Sequence, residues 1–290
     1  MKAEFRANFM SPAGPNYLNL SLDTSDTSQD DVNSAFSNGK YYEHETSLLF
    51  VHTLREGDVV VDVGANVGYF TTLFGRLVGP TGHVFAVEMN PRHQQRLQAH
   101  IALNEISATI LPVAIGREKG FARFSDGGDA DGNGILVLSE GDGELVPIDT
   151  LDNLAEQHER LLQAKAMKID VEGAEGWVLQ GASKILAQDK LEIVIIEANP
   201  PVQERTFGVS FKQIREILHS YGFESYLMSP YSYSHDPNTR SPAGDFPVHV
   251  PIDIDIEFKL VTNIAFLRKG VLRKYWPSVV YLPARYVFGY

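Results

Sequence analysis

The side chains best placed to do chemistry are acidic. Asp170 and Glu172 come near the end of one apolar run, Ala166–Val171, and Glu197 near the end of another, Leu191–Ala198. Both runs read as strands, and open α/β sheets bind their ligands at the carboxyl ends of the strands. Asp170, Glu172 and Glu197 are therefore the candidate catalytic residues. Burial and like-charge crowding raise a carboxylate pKa toward the working pH, which suits a base that takes a proton from a hydroxyl. An all-oxygen set also suits a hard cation such as Mg²⁺ better than zinc. No His or Asn spacing completes an octahedral site, so the expectation is a metal-free base, and no metal ligand is assigned. Lys168 shares strand parity with Asp170 and Glu172 and is expected to pair with Asp170. Glu172 or Glu175 can cap the helix that follows. His44 is a base candidate by residue type alone.

A second group surrounds a glycine turn. Val59–Phe70 reads as a strand, a turn and a helix start, with Asp62, Gly64, Asn66 and Gly68 around the turn. Such a turn lets a ligand approach the backbone and the helix N-terminus. A dinucleotide fingerprint wants glycine where Asn66 stands, and Asp62 would face a pyrophosphate unfavourably. S-adenosylmethionine has no phosphate, and its ammonium and sulfonium make a carboxylate attractive there. Glu88, at the end of the next strand, is placed to accept both ribose hydroxyls. Ala114 on the third strand and Glu43 before the first core helix complete the candidate cofactor contacts. Two rivals stay open: an NAD(P)-dependent oxidoreductase, and a binding protein that keeps a cofactor fold without turnover. Asn66 speaks against the first, and the acids at 170, 172 and 197 against the second.

These groups need a scaffold of alternating strands and helices. Strands are predicted at Asp58–Val63, His83–Glu88, Thr109–Ile115, Ala166–Val171, Leu191–Ala198, Phe223–Met228 and Asn263–Arg268. Helices are predicted from Tyr41 to Glu56-Gly57, after Gly68 to Val78, at Asn90–Asn104, Ala174–Leu186 and Ser210–Tyr221. That alternation marks βαβ units, so the fold class is α/β and Rossmann-like: a mostly parallel sheet, helices on both faces, and an antiparallel strand near the C-terminal edge. Residues 1–40 read as an extension with one strand, 41–270 as the domain and 271–290 as an aromatic tail that packs on the domain or on a second copy. An insertion at 116–150 places strands Phe121–Ser125 and Glu144–Ile148 around a polar loop. Residues 229–251 carry five prolines and read as a long irregular loop.

The chain resembles the FkbM-type methyltransferases. The match lies in Tyr42-Glu43, in Asp62-Val63-Gly64-Ala65-Asn66-Val67-Gly68-Tyr69, in Val146–Asp152, and above all in Lys168-Ile169-Asp170-Val171-Glu172-Gly173-Ala174-Glu175. The resemblance covers roughly residues 41–268. It implies a class I methyltransferase fold, S-adenosylmethionine as cofactor, and O-methylation of a sugar or natural-product hydroxyl.

Composition narrows the partners. Lys and Arg number 25 against 37 Asp and Glu, a net charge of −12, which argues against binding nucleic acid, whose phosphates must be neutralised. There is no cysteine, so disulfides and thiolate chemistry are excluded and a reducing, cytoplasmic setting fits. No signal-peptide pattern and no membrane-span run is seen. Asn199-Pro200-Pro201-Val202 is similar to a motif of base-modifying amino methyltransferases, but it follows the fifth strand and lacks the stacking aromatic. Asp129–Gly134 with Glu140 satisfies a calcium-loop pattern, yet it is flanked by strand-like residues, so a polar hairpin tip is expected. Tyr231, Tyr233 and His235 are candidates to stack on a sugar. A homo-oligomer fits the aromatic tail.

Overall fold

The computed structural model describes residues 2–11, 14–23, 32, 41–125, 135–137, 144–228, 249–251 and 261–276. The calcium-loop pattern and the 231–235 aromatics lie outside these residues. Two N-terminal strands, Lys2–Ser11 (β1) and Gly14–Asp23 (β2), pair as an antiparallel hairpin where one strand was expected. The hairpin is fixed to the domain by long-range contacts. Leu18 and Leu20 are fully buried, and the Asn104 side chain exchanges two hydrogen bonds with the backbone of Asn19, as a partner strand would.

The first core helix is His44–Thr53 (α1). Val59–Val63 (β3) leads through the glycine turn into Tyr69–Val78 (α2), and His83–Val87 (β4) into Pro91–Leu103 (α3). Asn90 caps α3 by accepting the Arg92 N–H, with Pro91 at the first helical position, where no N–H is needed. The expected third strand divides in two. Ala108–Leu111 (β5) stays in the main sheet, and Ala114–Ile115 (β6) joins a second one. Pro112 stands at the break and can donate no ladder hydrogen bond.

The insertion forms that second sheet with Gly120–Ser125 (β7), Ile135–Val137 (β8) and Glu144–Asp149 (β9), in the order β6-β9-β7-β8. A short helix Leu151–Gln157 (α4), capped by Thr150, and a 3-10 helix Glu159–Gln163 return the chain to Ala164–Ile169 (β10). The expected helix at 174–186 is two pieces, Glu175–Gln180 (α5) and Ser183–Leu186 (α6). They part at Gly181, where a Cβ would lie 2.2 Å from the Gly116 carbonyl oxygen.

Ile193–Ala198 (β11), Pro200–Phe207 (α7), Phe211–Ser220 (α8) and Phe223–Met228 (β12) follow. Asn199-Pro200-Pro201 is thus a helix start, and Ser210 with Gln213 forms a capping box on α8. His249–Pro251 (β13) is a strand against β12, so the last residues of the expected irregular loop are ordered in the sheet. Thr262–Arg268 (β14) and Val271–Tyr275 (α9) close the described chain.

The main sheet has eight strands in the order β13-β12-β14-β11-β10-β3-β4-β5. It is parallel from β11 to β5 and antiparallel at β14, β12 and β13. Both faces are apolar, as buried parallel strands require. Val59, Val61, Val63, Met167 and Ile169 pack toward α4, α5, α6 and α8. Val60, Ala166, Ile193 and Ile195 pack toward α1, α2 and the hairpin. No helix among the described residues is long and apolar enough to cross a membrane.

Candidate active site

Strand alternation turns a polar row toward the face that α1 covers. Asp62 and Lys168 are paired in register, each following an apolar residue of that face. On β11 Ile195 is level with Lys168, and Glu197, two residues further along the same face, is paired with Asn263 on β14. These residues lie near the carboxyl ends of the parallel strands, where the chain must leave the sheet and can leave room for a ligand.

The glycine turn is fastened to both neighbouring strands. The Gly64 and Ala65 N–H groups donate to the Val87 carbonyl, and the Asp170 N–H donates to the Val63 carbonyl. Gly64 has φ +84°, and a Cβ there would lie 1.8 Å from the Asp170 carbonyl oxygen. Only glycine fits so close an approach. Asn66, also left-handed at φ 49°, donates its N–H to Glu88 Oε2 at 2.7 Å. Glu88 Oε1 accepts the Asn90 N–H at 2.7 Å, so this carboxylate ties the turn to the start of α3.

Asp62 is 2% exposed and accepts the Thr71 hydroxyl at 2.6 Å. Burial pushes its pKa up to about 6, against the pull of Lys168 and Thr71. Lys168, equally buried, donates to Asp170 Oδ2 at 2.7 Å, lies 3.6 Å from Glu43 Oε1, and sits 4.5 Å from the Phe70 ring centroid. Burial disfavours its charge, but Asp170, Glu43 and Asp62 outweigh that and hold its pKa well above the ordinary value. Glu43 accepts a hydrogen bond from the Asn263 amide at 2.7 Å, and burial raises its pKa.

Beside this cation the three candidate acids converge. One carboxylate oxygen each from Asp170, Glu172 and Glu197 lie within 4.8 Å of one another, all three side chains partly buried. That spacing can hold a divalent cation through oxygen or share a proton between neighbours. Burial first, then the charges of Asp170 and Glu172, push Glu197 up to about 9. Glu175 does not cap α5, which has no side-chain cap, but holds the loop before it by accepting the N–H groups of Val171 and Gly173. Glu172 and Gly173 both adopt positive φ, at 54° and 108°, as the chain turns out of β10.

The structure therefore brings Asp62, Asp170, Glu172, Glu197 and Glu43 together around Lys168, with the Gly64–Gly68 turn and Glu88 alongside. Ala114 differs from expectation: it belongs to the second sheet, and its side chain is buried with Ala122, Val146, Ala174 and Phe207. His44 opens α1 with its ring 5.8 Å from that of Tyr41. Thr71 and Asn263 were not among the expected site residues. Asn263 carries no sequence signal because its partner Glu43 is 220 residues away, whereas Thr71 meets Asp62 across the nine residues of the strand, turn and helix start.

The family model described as methyltransferase FkbM domain matches residues 62–225. A protein-L-isoaspartate O-methyltransferase of Ignicoccus hospitalis is 39% identical over 59 residues, which is 20% of this chain and 28% of that protein. A second, from Methanothrix thermoacetophila, is 50% identical over 38 residues, 13% of this chain and 18% of that protein. The chain thus matches less than a third of the length of these curated relatives. Among solved structures, a methyltransferase FkbM from Methylobacillus flagellatus aligns with TM-score 0.44 and 13% identity, covering 84% of this chain and 55% of that one. Aeropyrum pernix fibrillarin, solved with natively bound S-adenosyl-L-methionine, aligns with TM-score 0.40 and 14% identity over 90% and 82%. The family match takes in more than half of the residues and spans both the glycine turn and the acid cluster, and on it the chain belongs to the FkbM methyltransferase family.

Proposed function

We propose that the protein transfers a methyl group from S-adenosylmethionine to a hydroxyl oxygen of a sugar or small natural product. The residues present suit that donor. Gly64 lets the turn pack against the Asp170 carbonyl, which sets the turn beside the acids, and the surrounding carboxylates favour a cationic ligand over a pyrophosphate. Asp62, the Gly64–Gly68 turn and Glu88 would hold it, with Glu43 and the residues around Ala114 bordering it. The donor supplies a methyl group already activated on a sulfonium. What the chain itself must do is orient the acceptor and take its proton.

The observation that carries the oxygen assignment is the convergence of Asp170, Glu172 and Glu197 within 4.8 Å. Glu197, with its raised proton affinity, takes the hydroxyl proton. Asp170 and Glu172 hold the acceptor and keep that affinity high, while Lys168 fixes Asp170 in place. The test is to incubate the protein with S-adenosylmethionine and a panel of sugars and hydroxylated natural products. Release of S-adenosylhomocysteine and one added methyl on oxygen by mass spectrometry and NMR are expected. Methylation of nitrogen or carbon instead would overturn the assignment. The same assay after EDTA treatment is expected to keep its rate. Activity that disappears and returns with Mg²⁺ would mean that the acid cluster works through a cation.

A further inference from the structure

We infer that the outer edge of β1 is a dimerisation surface that takes the β1 strand of a second copy of this chain. Hydrogen-bond direction identifies that edge. Asn19 turns both its N–H and its carbonyl to the Asn104 amide, and Ser21 donates its N–H to Nε2 of His100, whose Nδ1 donates to the Val67 carbonyl. Both residues of β2 therefore point away from β1. Directly opposite them in the register are Arg6 and Glu4. In an antiparallel pair, residues facing one another either exchange both hydrogen bonds or both turn them outward. Glu4 and Arg6, and by alternation Asn8, thus offer their N–H and carbonyl groups on the far side of β1. Among the described residues no strand pairs there.

Such an edge is a template for another strand, and the exposed side chains on it select which one. Glu4, Arg6 and Asn8 are all exposed. The Arg6 guanidinium lies 3.8 Å from the centroid of the Tyr17 ring, and Arg76 lies 4.4 Å from the same ring. Two copies of β1 related by a twofold axis at residue 5 would set Glu4 opposite Arg6 of the second copy, and Arg6 opposite its Glu4. Moving the axis one residue either way sets Glu4 against Glu4 or Arg6 against Arg6. Opposite charges facing across an antiparallel pair stabilise it and like charges oppose it. The sequence therefore favours one register, and a twofold contact uses it twice. The hairpin is already held to the domain by Asn16, Asn19, Ser21, Leu18 and Leu20, so little ordering is needed when a partner strand arrives.

Sedimentation velocity of the full chain over a concentration series tests this. The unmodified protein is expected to form a dimer. Glu4→Arg and Arg6→Glu alone should each raise the dimer dissociation constant by about tenfold or more, through like charges opposed twice. The double reversal, Glu4→Arg with Arg6→Glu, should restore the dimer, although it also loses the Arg6–Tyr17 contact. Glu4→Pro removes one outward N–H while leaving the β1–β2 ladder intact, and should give a monomer with an unchanged thermal melt. A monomeric unmodified protein would overturn the inference. So would a dimer indifferent to the single reversals, or one that the double reversal fails to restore.

Discussion

Replacing Lys168 by Met removes the one buried cation at the centre of the site while keeping most of the side-chain volume. The ammonium sits 2.7 Å from Asp170 and 3.6 Å from Glu43. At an effective dielectric of about 20, two such pairs are worth roughly 5–6 kcal/mol each before desolvation, and the desolvation of a buried ion takes back several. The expected net loss is about 3–5 kcal/mol at pH 8, the usual result of leaving buried charges without their partner. Burial already raises the pKa of Glu43, Asp62 and Glu197 with Lys168 present, and without it they rise further. A carboxylate whose folded pKa is raised is most stabilising below its unfolded pKa and loses that contribution as pH climbs through the folded value. The deficit of Lys168→Met should therefore be smaller near pH 5, below the value of about 6 for Asp62, than near pH 8 above it. Urea denaturation at the two pH values, extrapolated to water, measures it. A loss under about 1 kcal/mol at pH 8, or the same loss at both, would refute the reasoning that charge balance holds this cluster.

Gly64→Ala should cost roughly 2 kcal/mol or more, from its positive φ and from the collision with the Asp170 carbonyl; a thermal melt within a degree of the parent would contradict this. Glu88→Ala should weaken S-adenosylmethionine binding by roughly 1–3 kcal/mol in calorimetry, the value of hydrogen bonds to a charged acceptor, with the fold retained. Unchanged affinity would move the ribose contact elsewhere. The rate of methyl transfer should climb from pH 7 toward about 9, because Glu197 acts as base only once its proton is gone. Glu197→Gln should abolish both the rate and that pH dependence, and a Gln variant with the parental profile would assign the base to another group.

The parts of this molecule that could be read from its residues are those held by local pattern. The β-branched run before Asp62, the Gly64–Gly68 turn and the Asn90-Pro91 helix start each carry their own geometry. The acids at 170, 172 and 197 were legible because strand ends gather ligands whatever the sequence of the loops. The hairpin was not, because β2 is recognised by the side chains of His100 and Asn104, which look like ordinary helix residues until the strand is laid beside them. The division of the third strand at Pro112 and of the helix at Gly181 also depends on distant contacts, the second on the backbone of Gly116. For the same reason Asn263 could not be linked with Glu43 before the sheet was assembled.

The second sheet begins and ends at one place: Ala114 and Ile115 pair in parallel with Ile148 and Asp149. Whatever lies between those points is, for the polymer, a loop whose closure has already been made. Its cost grows only logarithmically with length, by about 0.6 kcal/mol for each doubling. Segments of very different size can therefore be exchanged between the two ends without disturbing the strands that carry Asp62 and Asp170. A new acceptor preference could be grafted onto this scaffold there, leaving the donor cradle untouched.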